Sequence, residues 1–189
     1  WLEQQLAANA EITEVDVDRK LMELRAAQPG NLGVSFDTIA AYGANAAMMH
    51  YHATPDNCTK LEKRGFLLVD SGGQYSDGTT DITRTYPLGP LTEDEKRFYT
   101  WTLQSHIDLA KAVWLDYCEC KMIDTIAREP LWRHLINYRC GTGHGVGFIS
   151  GVHEGPQSLR PNNPVIFKPG MTITDEPGIY ICLLYTSPS

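Results

Sequence analysis

The chain has 189 residues, 42% hydrophobic and 21% charged, enough apolar material for a buried core and too little charge for disorder. Sixteen Lys and Arg against 23 Asp and Glu leave a net charge of −7, which argues against nucleic acid or an anionic membrane as partner, because both need a basic face. No apolar run approaches the roughly 20 residues of a spanning helix, and the N-terminus holds no signal-peptide apolar core, so a cytoplasmic protein is expected.

No initiator Met is present, and residues 1–12 read as the continuation of something upstream, so both ends are expected to be cut. Thr13 is placed to cap a helix carrying Val17, Leu21 and Leu24 on one stripe, with Glu14 and Asp16 at its positive end. Pro29-Gly30-Asn31 stops that helix, residues 34–52 suggest brief strands and turns, and Thr54-Pro55-Asp56-Asn57 reads as a turn. Gly65 to Asp70 is a compact apolar run, expected to be a buried strand, and Asp81 to Tyr86 alternates like a second one. On that second strand Asp81, Thr83 and Thr85 share one face. Thr92-Glu93-Asp94-Glu95 has the form of a capping box, opening a helix whose apolar side takes in Phe98, Trp101, Ile107, Ala110 and Val113. Lys121 to Tyr138 has a helical pattern, with Pro130 ending one helix or opening the next. Met171 to Ile181 alternates again, with Thr172, Thr174 and Glu176 on one face. The fold class is α+β.

The five cysteines are odd in number and scattered, and Cys118-Glu-Cys120 is too tight for the usual redox or zinc spacing, so they are expected to be reduced packing residues. The chemistry lies elsewhere. Asp70 ends the most apolar strand, where a carboxylate needs a partner or a metal. If its strand pairs antiparallel with the next, Asp81 comes alongside, and two close carboxylates repel unless a cation lies between them. The alternative is a turn-capping Asp and a solvated strand start. Asp77, followed by Gly78, reads as a hairpin turn residue. His144 stands among alternating glycines in Gly141-Thr142-Gly143-His144-Gly145-Val146-Gly147, which leaves its imidazole as the one functional side chain there. His153 precedes another turn, and Glu176 precedes Pro177 and is therefore held extended, either as a ligand or as an edge-strand charge. Carboxylates with one imidazole and no thiolate suit Mn²⁺, with Co²⁺ or Zn²⁺ possible, and two such ions imply hydrolase chemistry.

The strings LLVDSGGQYSDGTTDITRTY, GTGHGVGFISGVHEGP and TDEPGIYI resemble the catalytic domain of the aminopeptidase P family, Xaa-Pro aminopeptidases of the pita-bread metallopeptidases. The resemblance runs from about Thr13 to Tyr180 and implies a curved antiparallel sheet flanked by helices, incomplete at the C-terminus. It implies that Asp70 holds one metal as a bidentate ligand, Asp81 bridges two, His144 binds one, and Glu176 binds a metal while acting as general base for a bridging hydroxide. His50 and His153 match the substrate-side histidines of the family, while His52 is expected outside the core site, either solvated or supporting the residues that line it. The implied reaction is hydrolysis of the N-terminal Xaa-Pro bond of peptides, in a homodimeric parent protein. Prolidase, restricted to Xaa-Pro dipeptides, is the rival within the fold, and a metal-free pita-bread binding module is the rival outside catalysis.

The family pattern departs at the end of the chain. A second bridging Glu is expected after Glu-Pro-Gly, yet Pro177 to Ser189 holds no Asp, Glu or His. Residues 1–180 therefore read as a partial catalytic domain, and 181–189 as a tail unlike the family and possibly non-native. With four of five ligands, the 189-residue chain is expected to bind Mn²⁺ weakly and to show little turnover.

Overall fold

The computed structural model describes residues 1–181, so most of the tail reading concerns residues outside the described ones. The described residues form two compact units, Trp1–Thr92 with Tyr180 and Ile181, and Glu93–Ile179.

In the first unit, helices α1 (Leu2–Ala7) and α2 (Glu14–Ala26) precede strands β1 (Asn31–Val34) and β2 (Ile39–Tyr42) and a 3₁₀ turn over Gly43–Ala47. Four more strands follow: β3 (Phe66–Ser71), β4 (Gly73–Tyr75), β5 (Gly78–Thr79) and β6 (Ile82–Pro87). All pairings are antiparallel, in two ladders ordered β1-β4-β5 and β2-β3-β6. Thr13 caps α2 as expected: its backbone N–H donates to Asp16 Oδ2 at 2.8 Å, completing a capping box. The apolar stripe of α2 is narrower than expected. Val17 is buried in the core cluster that includes Leu6, Leu67 and Val69, with Leu21 packed against it, whereas Leu24 is exposed near the end of the helix. The turn at 54–57 is present, closed by reciprocal Thr54 and Asn57 backbone bonds.

The second unit holds α3 (Glu93–Ala110), α4 (Cys120–Trp132), β7 (Gly143–Val146) and β8 (His153–Leu159), the two strands paired antiparallel. Its core gathers Leu109, Cys120, Ile123, Ala127, Leu159 and Phe167. The α3 stripe differs from the expected one. Ser105 and Leu109 are its buried residues, Ala110 is exposed at the helix end, and Val113 lies beyond it, 96% exposed. Phe98, Trp101, Ser105 and Leu109 follow the 3.6-residue period, and the chain leaves the helix before Val113 can join them. Pro130 neither starts nor stops α4, which continues through it to Trp132. Residues 171–181 are extended but form no regular strand, tied to β7 by Thr174 N–H to the His144 carbonyl at 2.9 Å and Glu176 N–H to the Thr142 carbonyl at 2.8 Å. Of the cysteines among the described residues, Cys120 is fully buried in this core, the packing role expected, while Cys58, Cys118 and Cys140 are half-buried.

Candidate metal centre

Asp70 lies on β3, and Asp81 immediately precedes β6, the neighbouring strand of the same ladder. Asp70 pairs with Thr83 and Ser71 with Ile82, which leaves Asp81 one residue before the last paired position. The faces on β6 are as the alternation predicts: Thr83 and Thr85 are half-buried, while Ile82, Arg84 and Tyr86 are exposed. Gly72 makes the close approach possible, since a Cβ there would lie 1.9 Å from the Thr80 carbonyl oxygen. Asp77 falls in the β4–β5 turn, the hairpin role its Asp-Gly signal indicated.

His50 is exposed, next to Tyr51, which is buried. The tether of this segment is Glu14, which is fully buried and not merely a charge at a helix end. Its carboxyl accepts from Tyr42 N–H at 2.6 Å, Thr59 N–H at 2.7 Å, the Tyr51 hydroxyl at 2.7 Å and the Asn45 amide at 3.0 Å. Burial, followed by this bond to Glu14, pushes the Tyr51 phenol well above its ordinary value.

In the second unit three of the expected residues meet. His144 Nε2 lies 3.0 Å from Glu176 Oε1, and the His144 and His153 rings contact edge-on with centroids 4.0 Å apart. The His144 Nδ1 is 2.9 Å from the Gly145 carbonyl, the contact of an Nδ1–H donor, which turns Nε2 toward Glu176. A neutral ring so oriented points its lone pair at a carboxylate, an arrangement relieved only by a proton or a cation between them. The Thr174 hydroxyl reaches both partners: it donates to Glu176 Oε1 at 2.5 Å and accepts from His144 N–H at 2.9 Å. A Cβ at Gly143 would lie 1.9 Å from the Thr174 carbonyl oxygen, so the glycine lets the two segments close on each other. The register slips between His144 and Val146, where the partner changes from Ser158 to His153, and this irregularity brings His153 beside His144.

Asp175 points elsewhere, as the alternation implied, with Oδ2 3.0 Å from His106 Nδ1. Burial holds its carboxyl above the usual carboxylate range, opposed by His106. Sequence reasoning missed Glu14 and a buried group in α4, Asp124 with Arg128. The latter had a signal, an acid and a base four residues apart on an apolar helix.

The profile of metallopeptidase family M24 matches residues 2–184. The chain belongs to this family. Aminopeptidase P2 of Arabidopsis thaliana is 45% identical over 95% of this chain and 26% of that protein. A solved X-prolyl aminopeptidase from Caenorhabditis elegans, described as a cytosolic enzyme with a di-nuclear active site, is similar with a TM-score of 0.90 at 36% identity, over 96% of this chain and 30% of that one. Prolidase from Pyrococcus furiosus has a TM-score of 0.82 at 29% identity, over 95% of this chain and 52% of that one. The M24 chain thus spans between a quarter and a third of the two aminopeptidases, and its fold is the pita-bread α+β fold expected from the motifs. Among the described residues no helix is long and apolar enough to cross a membrane.

Proposed function

We propose that this chain supplies Asp70, Asp81, His144 and Glu176 to the dinuclear metal centre of a cytosolic, homodimeric Xaa-Pro aminopeptidase. The observation that carries the reading is the His144–Glu176 pair, an imidazole nitrogen and a carboxylate oxygen held 3.0 Å apart with the other ring nitrogen facing a carbonyl. Two acidic side chains at adjoining ladder ends, Asp70 and Asp81, add the same demand for positive charge. This donor set fits harder divalent ions, Mn²⁺ first and Co²⁺ or Zn²⁺ next. When bound, such ions supply an activated water and polarise the scissile carbonyl.

The chain's own residues do the rest. Glu176 takes the proton from the attacking water and returns it to the proline ring nitrogen, which leaves as a secondary amine. His153, edge-on to His144, and His50, on the segment tethered by Glu14, hydrogen-bond the peptide and the oxygen on which charge develops. The substrate is a peptide with proline second: its tertiary amide offers no N–H, so recognition rests on the ring and the carbonyl. The higher identity to the plant and nematode aminopeptidases than to the prolidase favours longer peptides over dipeptides. A metal-free binding module is disfavoured because the ligands that such a module lacks are present.

The test is release of the first residue from an Xaa-Pro-peptide and from an Xaa-Pro dipeptide by the gene product that carries this chain, supplied with Mn²⁺. The longer peptide is expected to be cleaved, and Asp81→Ala to abolish turnover and lower bound metal. Cleavage of the dipeptide alone assigns prolidase activity instead, and full activity in the variant removes Asp81 from the centre. The 189-residue chain by itself is expected to bind Mn²⁺ weakly and turn over little, since Pro177 to Ser189 offers no fifth ligand.

A further inference from the structure

Besides the His144–Glu176 pair, the second unit holds a buried polar cluster between α4 and the start of β7. Asp124, Arg128 and Thr142 are buried, exposed by 1%, 2% and 0%, and Tyr138 is buried beside them. Arg128 Nε donates to Asp124 Oδ2 at 2.7 Å. Its other nitrogens donate to Asn137 Oδ1 at 3.1 Å and to the carbonyls of Tyr138 at 2.7 Å and Cys140 at 2.9 Å. The guanidinium also stacks 4.1 Å from the centre of the Tyr138 ring. One side chain of α4 thereby fixes the irregular segment 137–140 that leads into β7.

Asp124 fixes the next step, because its Oδ1 accepts from the Thr142 hydroxyl, which is also bonded to the Tyr138 hydroxyl. The Thr142 backbone then makes two bonds in opposite directions: its N–H donates to the Leu159 carbonyl at 2.8 Å, and its carbonyl accepts the Glu176 N–H at 2.8 Å. Thr142 therefore sets the height at which β7 starts, two residues before His144, and holds the backbone of Glu176 directly. A packed helix is stiffer than the extended, strand-free segment 171–181, so the geometry of the pair is referred back to α4.

We infer that Asp124, Arg128 and Thr142 are positioning residues for the metal-holding pair, setting the distance and orientation of His144 relative to Glu176. The inference rests on reading that pair as metal ligands. It accounts for a buried ion pair of the kind that apolar residues of similar volume often replace with no loss of stability. Buried groups that orient metal ligands change affinity by about 10–100-fold when removed.

The experiment uses the full chain with Mn²⁺ alone as the probe. The metal-free His144 ring is followed by ¹⁵N NMR beside a Mn²⁺ titration. Thr142→Val removes the hydroxyl and keeps the shape, Thr142→Ser restores it, and Asp124→Asn breaks the cluster at a second point. Leu131→Ala in α4, fully buried and outside these hydrogen bonds, is the control for lost stability. Thr142→Val and Asp124→Asn are expected to move the His144 ring signals and weaken Mn²⁺ by about tenfold, while Thr142→Ser and Leu131→Ala leave both near wild type. Unchanged ring signals in Thr142→Val and Asp124→Asn, or equal changes in Leu131→Ala, overturn the inference. Ring signals that move in a wild-type background showing no Mn²⁺ binding at all support the positioning role and overturn the metal reading.

Discussion

Replacing Glu14 tests how the first unit holds the segment that carries His50. The carboxyl is fully buried and receives two backbone amides, Tyr42 on Oε1 and Thr59 on Oε2, besides the Tyr51 hydroxyl and the Asn45 amide. Glu14→Gln keeps the volume but turns one oxygen into an NH₂ group. Whichever oxygen is lost, the new donor faces a backbone N–H that has no freedom to turn away. Asn45 and Tyr51 adapt more easily, because the Tyr51 hydroxyl can turn its single proton to the Asn57 carbonyl instead and Asn45 also reaches the Thr59 hydroxyl. One opposed buried amide costs about 2 kcal/mol. Glu14→Ala deprives both amides of their acceptor and leaves a void, for a loss of about 4 kcal/mol. Urea unfolding followed by far-ultraviolet circular dichroism gives both differences, and hydrogen exchange at Tyr42 and Thr59 locates them. A Glu14→Gln protein within about 0.5 kcal/mol of wild type, the range of an ordinary surface change, with unchanged protection of those amides, would refute the reasoning.

Tyr138 makes the stability of the second unit depend on alkaline pH. Burial, offset in part by its bond to Thr142 and by Arg128, pushes its phenol from 10.0 up to about 12. The folded state favours the neutral form, so this stability is fully present below pH 10 and is lost as pH rises through about 12, a total of roughly 3 kcal/mol. Thermal melts between these limits are expected to show the loss, and Tyr138→Phe to flatten it. Gly143→Ala drives a methyl group against the Thr174 carbonyl, so the two backbone bonds between 142–144 and 174–176 are expected to break. Exchange protection at the Thr174 and Glu176 amides reads this directly, and retained protection in the variant would show that the segments are free to move apart.

The residues proposed for the centre stand out in the chain because they sit on short-range patterns. Asp70 and Asp81 lie at the facing ends of two apolar or alternating runs separated by Gly-rich turns, so local signals made an antiparallel pairing one of the readings, and the β3–β6 ladder is the one found. His144 was marked by glycines, and Glu176 by the proline that keeps it extended. Glu14 was invisible as a hub because its partners lie 28 to 45 residues away, and nothing near it in sequence distinguishes a buried carboxyl from a helix-end charge. Arg128 was hidden for the same reason: three of its acceptors belong to the irregular segment 137–140, which carries no periodic signal. The α3 stripe was drawn one turn too far because apolar spacing alone does not report where a helix stops. Residues 171–181 alternate as strands do, yet among the described residues they form no regular strand, being tied by backbone bonds to His144 and to Thr142, just before β7.

The hairpin between Asp70 and Asp81 belongs to a different ladder from β3 and β6, which flank it: β4 pairs with both β1 and β5, while β3 pairs with β2 and β6. Sequence distance and spatial distance are therefore uncoupled at this point. Residues added between Asp77 and Gly78 lengthen the loop but leave the β3–β6 register alone. A reporter peptide grafted there is carried by the scaffold without altering the interval between the two acids.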